Sequence, residues 1–208
     1  MEQKKEDRRT QYSKRVIRES LYELMKEKPL NKITVREICE KADVNRSTFY
    51  AYYTDIYDLH QRIIKKFFRF QHSIIQNANA VLKEKKDITD LQVDDFYEIY
   101  YFYLETIKEN KELYKFIFNQ NSSQSVFVSF RKVFYHNLKR MLPEETPPKI
   151  ADAFKDSFTF VNGGTTALVT QWLSNDCTSA TVEKFAKQLS YFSYGVFNGY
   201  KNVNQSRK

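Results

Sequence analysis

The chain has 208 residues, 41% hydrophobic and 16% aromatic, and its 34 Lys and Arg against 26 Asp and Glu give a net charge of +8. That content of apolar and aromatic side chains excludes a disordered polymer, and 4 Gly with 4 Pro leave too little turn punctuation for an all-β or α/β design. Two cysteines, Cys39 and Cys177, cannot build a disulfide framework or a C-x-x-C zinc site, and no apolar run is long enough for a membrane span.

The N-terminal run is too polar for a signal peptide, so a cytoplasmic protein with no membrane association is expected. A basic surplus favours a polyanionic partner, but residues 1–58 hold 13 basic and 11 acidic side chains. Charge alone therefore does not mark that segment as a nucleic-acid binder. The pattern has to do so.

The first helix is predicted from about Ser13 to Lys28, with Ile17, Leu21 and Leu24 on one face and Pro29 ending it. Thr34-Val35-Arg36-Glu37 has the form of a capping box opening a second, two-turn helix whose apolar face is Val35, Ile38, Cys39 and Ala42. Asn45 is placed as the N-cap of a third helix, Arg46 to Tyr53, and Thr54 as the cap of a fourth that runs without interruption from Asp55 to about Leu82. An aromatic helix follows over about Val93 to Lys108, then a shorter one from Asn110 to about Asn119. Another opens near Asn121–Ser125 and ends before Pro143. Pro147-Pro148 starts a long helix carrying Ile150, Phe154, Phe158, Val161, Thr165, Leu168 and Trp172. The last helix carries Val182, Phe185, Leu189, Phe192 and Val196. The chain reads as all-α, with about nine helices.

The segment that carries function lies between Ser13 and Tyr53. Two short helices joined at Ala42-Asp43-Val44-Asn45 make a helix-turn-helix, in which the second helix enters the major groove of DNA. Arg46, Ser47 and Thr48 place base-reading donors and acceptors at its start, with Asn45 at its cap. Tyr50, Tyr52 and Tyr53 are assigned to phosphates through their hydroxyls, and Thr34 with Arg36 to a phosphate at the amide end of the second helix. Ile38, Cys39, Ala42, Val44 and Phe49 are assigned to the core.

The run from Ile33 to Asp55, ITVREICEKADVNRSTFYAYYTD, resembles the DNA-binding signature of the TetR family of transcriptional regulators. Thr34, Ile38, Ala42, Val44, Ser47, Thr48, Phe49, Tyr50, Tyr53 and Leu59 fit that pattern in order and spacing. Three positions depart from it. Asp43 replaces the turn glycine, Tyr53 the usual Phe, and Ile56 a lysine that commonly meets phosphate; Lys4, Lys5, Arg8 and Arg9 are the candidates to replace that charge. Gly163-Gly164 followed by Trp172-Leu173 is similar to a C-terminal subgroup common in Gram-positive bacteria.

The resemblance implies a three-helix DNA-binding domain over residues 1–58, with its motif at about 33–52. It implies a larger helical domain over 59–208 that dimerises and takes an effector. The function expected is that of a regulator, a repressor by the family's default, binding double-stranded DNA at an inverted-repeat operator as a homodimer. Its effector is an unknown small molecule or protein. Tyr97, Tyr101, Phe116, Phe127, Phe130, Phe158 and Trp172, with Phe134 nearby, are candidates to line the pocket. Phe158, Gly164, Leu168, Phe185, Leu189, Phe192, Gly195, Val196 and Gly199 are candidates for the dimer interface.

No cofactor or metal is expected, because His60, His72 and His136 lack ligand spacing. The chain has no nucleophile elbow, phosphate-binding glycine loop or paired-acid motif, so it is not expected to be an enzyme. Two other readings are a regulator or co-activator switched by a protein partner with no small-molecule ligand, and a small helical enzyme that uses the N-terminal helices as scaffold.

Overall fold

A computed structural model of the chain describes residues 8–83, 85, 90–119, 135, 139, 142, 146 and 148–205, and all the regular elements among them are helical. Helix α1 (Arg8–Glu27) buries Ile17, Leu21 and Leu24, as their spacing predicts. It begins before Ser13 because nothing in its exposed, polar first turn opposes a helix. A single 3-10 turn (Leu30–Lys32) follows Pro29. Then come α2 (Val35–Ala42), α3 (Arg46–Tyr50) and α4 (Ile56–Leu82). Beyond them lie α5 (Val93–Glu109), α6 (Lys111–Asn119), α7 (Pro148–Ser174) and α8 (Val182–Gln205). Pro148 occupies the first position of α7, where its missing N–H costs nothing. The helix expected between Asn121 and Pro143 falls almost wholly outside the described residues, as do Lys4, Lys5, Phe127, Phe130, Phe134, His136 and Pro147.

The chain divides into two compact units, Met1–Phe68 and Arg69–Lys208, the division falling within α4 where the sequence reading sets it at Asp58. In the first unit α1 packs on α2 and α2 on α3, around Ile17, Leu21, Ile38, Phe49 and Leu59, all without exposed surface. Each such side chain contributes about 1.5–3 kcal/mol by leaving water.

In the second unit α5 and α7 both pack on α8, and α6 packs on α7. Its core gathers Ala78, Leu82, Leu91, Phe96, Ile99, Phe154, Phe158 and Phe197. The rings of Phe96 and Phe197 stack there at 5.8 Å. At the other end of α7, Trp172 meets Phe185 at 5.3 Å and donates from Nε1 to the Ala180 carbonyl at 3.0 Å. The turn between α7 and α8 holds Asp176 and Cys177 at positive φ, 57° and 61°, and the Asp176 carboxylate is paired with Lys111 and Lys115 of α6.

Candidate nucleic-acid interface

Helix α2 starts with the capping box that its sequence predicts. Thr34 Oγ1 accepts from the Glu37 amide at 3.3 Å, and Glu37 Oε2 accepts from the Thr34 amide at 2.9 Å. The Lys28 ammonium also donates to Glu37. Hydrogen bonds from Lys28 and then Thr34 hold the Glu37 carboxyl at about 2, well below the usual range.

The helix ends at Asp43, which takes the left-handed conformation at φ 51° and ψ 50°. The Val44 amide then reaches back to the Cys39 carbonyl at 3.0 Å, the long bond of a Schellman ending. Aspartate thus makes the turn for which glycine is usual, as its tolerance of left-handed geometry allows.

Asn45 stands at the N-cap of α3 with extended backbone, but its side chain makes no cap hydrogen bond. The expected side-chain cap is therefore absent, and the amide is exposed beside the first turn. Arg46 and Ser47 are exposed, Thr48 is half-buried, and Tyr50 is 57% exposed. Phe49 faces inward with no exposed surface and meets the Tyr53 ring at 5.6 Å.

Helix α3 ends at Tyr50, short of the predicted Tyr53, because the next residues turn to set up α4. Asp55, not Thr54, caps that helix: its Oδ1 accepts from the Asp58 amide at 2.7 Å. Asp58 Oδ2 in turn accepts from the Thr54 amide at 3.1 Å, so Thr54 is held as a donor through its backbone.

Tyr53 is corrected as well. It is 5% exposed, its hydroxyl accepts from the Arg18 guanidinium, and Arg62 lies 5.5 Å over its ring. Burial pushes its hydroxyl pKa up. Its packing makes it a core residue of the free chain rather than an exposed one. Arg18 also hydrogen-bonds Tyr22, whose hydroxyl burial pushes up to about 12. A guanidinium from α1 thus ties down two phenols. Tyr52 stays half-buried, with the Lys14 ammonium 5.1 Å from its ring centre.

On the outer side an open depression is lined by Arg36, Cys39, Glu40, Asp43, Val44, Asn45 and Arg46. Arg36 Nε donates to Glu40 Oε1 at 2.6 Å along the helix. The structure therefore brings Arg36, Asn45 and Arg46 to one surface. Sequence reasoning missed Lys14, Arg18 and Glu40. The i, i+4 spacing of Arg36 and Glu40 was the available signal for one of them.

The described candidates in the larger unit lie on α5, α6 and α7. Tyr97 and Tyr101 pair with each other at 5.9 Å, Phe116 is buried, Phe158 belongs to the core cluster, and Trp172 packs on Phe185. Phe127 and Phe130 lie outside the described residues. Of the interface candidates, Phe158, Phe185 and Leu189 are buried within their own chain. Leu168 and Val196 are half-buried, while Gly164, Phe192, Gly195 and Gly199 are exposed. A Cβ built on Gly163, Gly164, Gly195 or Gly199 meets nothing within 4 Å, so these glycines serve no close approach among the described residues. Among the described residues no helix is long and apolar enough to cross a membrane, and no group of three or more His, Cys, Asp or Glu could hold a metal ion.

Two family models match the chain. One, described as bacterial regulatory proteins of the tetR family, covers residues 17–63, and the other, described as a transcriptional regulator C-terminal region, covers 94–195. No curated protein matches. Among solved structures, the fatty acid degradation regulator FadR from Bacillus halodurans is similar at a TM-score of 0.55 and 15% identity, over 92% of this chain and 97% of that one. The TetR family transcriptional regulator PfmR from Thermus thermophilus is similar at 0.51 and 10% identity, over 85% and 96%. At those identities the likeness is one of fold.

Proposed function

Because the chain belongs to the TetR family of DNA-binding transcriptional regulators, we propose that it acts as a homodimeric repressor at an inverted-repeat operator and is released by an effector in its larger unit. In this reading each subunit lays α3 in a major groove. Arg46 reads a guanine edge and Ser47, Thr48 and Asn45 read their neighbours, while Thr34, Arg36, Tyr50 and Tyr52 hold the backbone. An effector bound in the larger unit shifts α4, which runs through both units, and so changes the separation of the two recognition helices. Half-sites lie a fixed distance apart, so a changed separation lowers affinity without altering any base contact.

The observation that carries the proposal is the closed turn at Asp43, which joins the capped helix α2 to α3 with Arg36, Asn45 and Arg46 exposed on one surface. The experiment is selection from a random duplex pool by the purified chain at near-physiological salt. Recovery of one inverted repeat is the expected result and supplies the operator. A salt-sensitive background without a consensus overturns the proposal.

A further inference from the structure

A glutamine interrupts the buried stripe of α4. Phe67, Ile74 and Ala78 lie at helical spacing on either side of it, all buried, and Gln71 itself is only 5% exposed. Its Nε2 is 3.4 Å from the Tyr114 hydroxyl on α6, a long contact, and its Oε1 has no hydrogen-bond partner. Turning the amide over exchanges an unmet acceptor for an unmet donor and satisfies neither arrangement fully. Asn77 Oδ1, further along the same helix, is the other buried side-chain acceptor without a partner among the described residues. A leucine at position 71 would complete the apolar stripe. A half-satisfied amide there instead destabilises the fold, and among the described residues no group meets it, which leaves it open to a ligand.

The surroundings limit what that partner is. Tyr114 is buried, with Tyr103 close enough to influence it, and burial and neighbouring phenols are what push both hydroxyls up among the described residues. A charged head brought there would lose its hydration without a counter-charge in place. The neighbouring polar group is already occupied: the Tyr100 hydroxyl bonds to Ser193 at 2.6 Å and to Thr165 at 3.3 Å. The unmet hydrogen-bonding capacity therefore belongs to α4.

We propose that Gln71 and Tyr114 hold the head of an uncharged effector, a hydroxyl or carboxamide carried on an apolar body, inside the larger unit. The proposal rests on the effector-switched reading above and names the chemistry of that effector. Gln71 lies just past the division between the two units, on a helix that they share. A head group that takes up the amide acts directly on the element through which binding reaches the recognition helix.

The test is thermal unfolding of the full chain with octanol, octanamide and octanoate, probes of one chain length and different heads, together with titration of the selected operator. Octanol and octanamide are expected to raise the unfolding midpoint and to change operator affinity by about fivefold or more; octanoate does neither. Gln71→Leu loses both responses while unfolding at a higher midpoint than the parent, because the unmet amide is gone. Tyr114→Phe keeps the ring and weakens the responses. A response to octanoate as large as to octanol, an undiminished response in Gln71→Leu, or no response to any probe overturns the proposal. A chain that binds its operator and ignores the probes overturns it alone. A chain that responds and selects no operator retains the site and overturns the regulator reading.

Discussion

Arg36 and Arg46 line the same depression, yet their surroundings set them different tasks. Arg46 opens α3, where a guanidinium can meet a base edge, whereas Arg36 lies in the first turn of α2 and is held along it by Glu40. Arg46→Ala should therefore relax base preference at one operator position and cost about 1–3 kcal/mol of binding. Arg36→Ala should weaken all sequences alike and flatten the dependence of affinity on salt. Titrating both variants against matched and mismatched duplexes at several salt concentrations separates the two; identical behaviour would mean that the readout is assigned to the wrong arginine.

The same scale carries a pH dependence. The folded-state pKa of Glu37 is depressed to about 2, below its value in an unfolded chain. Its contribution to stability is therefore fully present above the unfolded value and is lost as the pH falls towards 2. Chemical unfolding of the parent and of Glu37→Gln should show a gap at neutral pH that narrows below about pH 4.5. A gap that widens in acid would remove the Lys28–Glu37–Thr34 arrangement from the account.

At the scale of the element, the turn between α2 and α3 decides how the surface is presented. An L-residue in left-handed geometry costs about 1–2 kcal/mol, less for aspartate than for most. Asp43→Gly should accordingly raise stability by up to about 1 kcal/mol and keep operator binding, while Asp43→Val should lower both. Unfolding midpoints and operator titrations of the pair give the answer, and equal stabilities would show that the turn is not under this restraint.

The turn was legible in the sequence because Thr34 and Glu37 fix where α2 begins and Asp43 is among the residues that tolerate its end. The long helices were legible too, since Ile17, Leu21 and Leu24, or Phe154 and Phe158, repeat at the helical period. The end of α3 was not. Ala51-Tyr52-Tyr53 continues an aromatic run that reads equally well as helix, and the reason it turns is the carboxylate of Asp55 claiming the Asp58 amide. Tyr53 was misplaced for a related reason: a tyrosine in such a run suits a core or a surface, and only the long-range bond from Arg18 shows which.

At the scale of the whole molecule, the exposed side of α7 and α8 bears on the proposed dimer. Phe160 is 73% exposed and Phe192 53%, and the four glycines on these two helices leave room beyond their own chain. Large exposed aromatics beside open glycine surfaces suit an isologous contact, in which one patch meets its own copy. Among the described residues a Cβ at Gly195 meets nothing within 4 Å, so Gly195→Leu should not destabilise an isolated subunit and, by removing a glycine from inside a helix, should raise its stability by about 1 kcal/mol. It would still obstruct close approach by a second copy. Phe192→Lys places a charge on the same exposed surface without opening a cavity.

Both variants are expected to sediment as monomers with helical content intact. They should bind a single half-site about as the parent subunit does and lose the added affinity of the full inverted repeat, because two recognition helices on one rigid dimer act at high effective concentration. Sedimentation with parallel titration of half-site and full-site duplexes reads all of this at once. Monomers that still discriminate the full repeat from the half-site would show that pairing forms on DNA through another surface, and dimers unaffected by either change would place the interface away from Gly195 and Phe192.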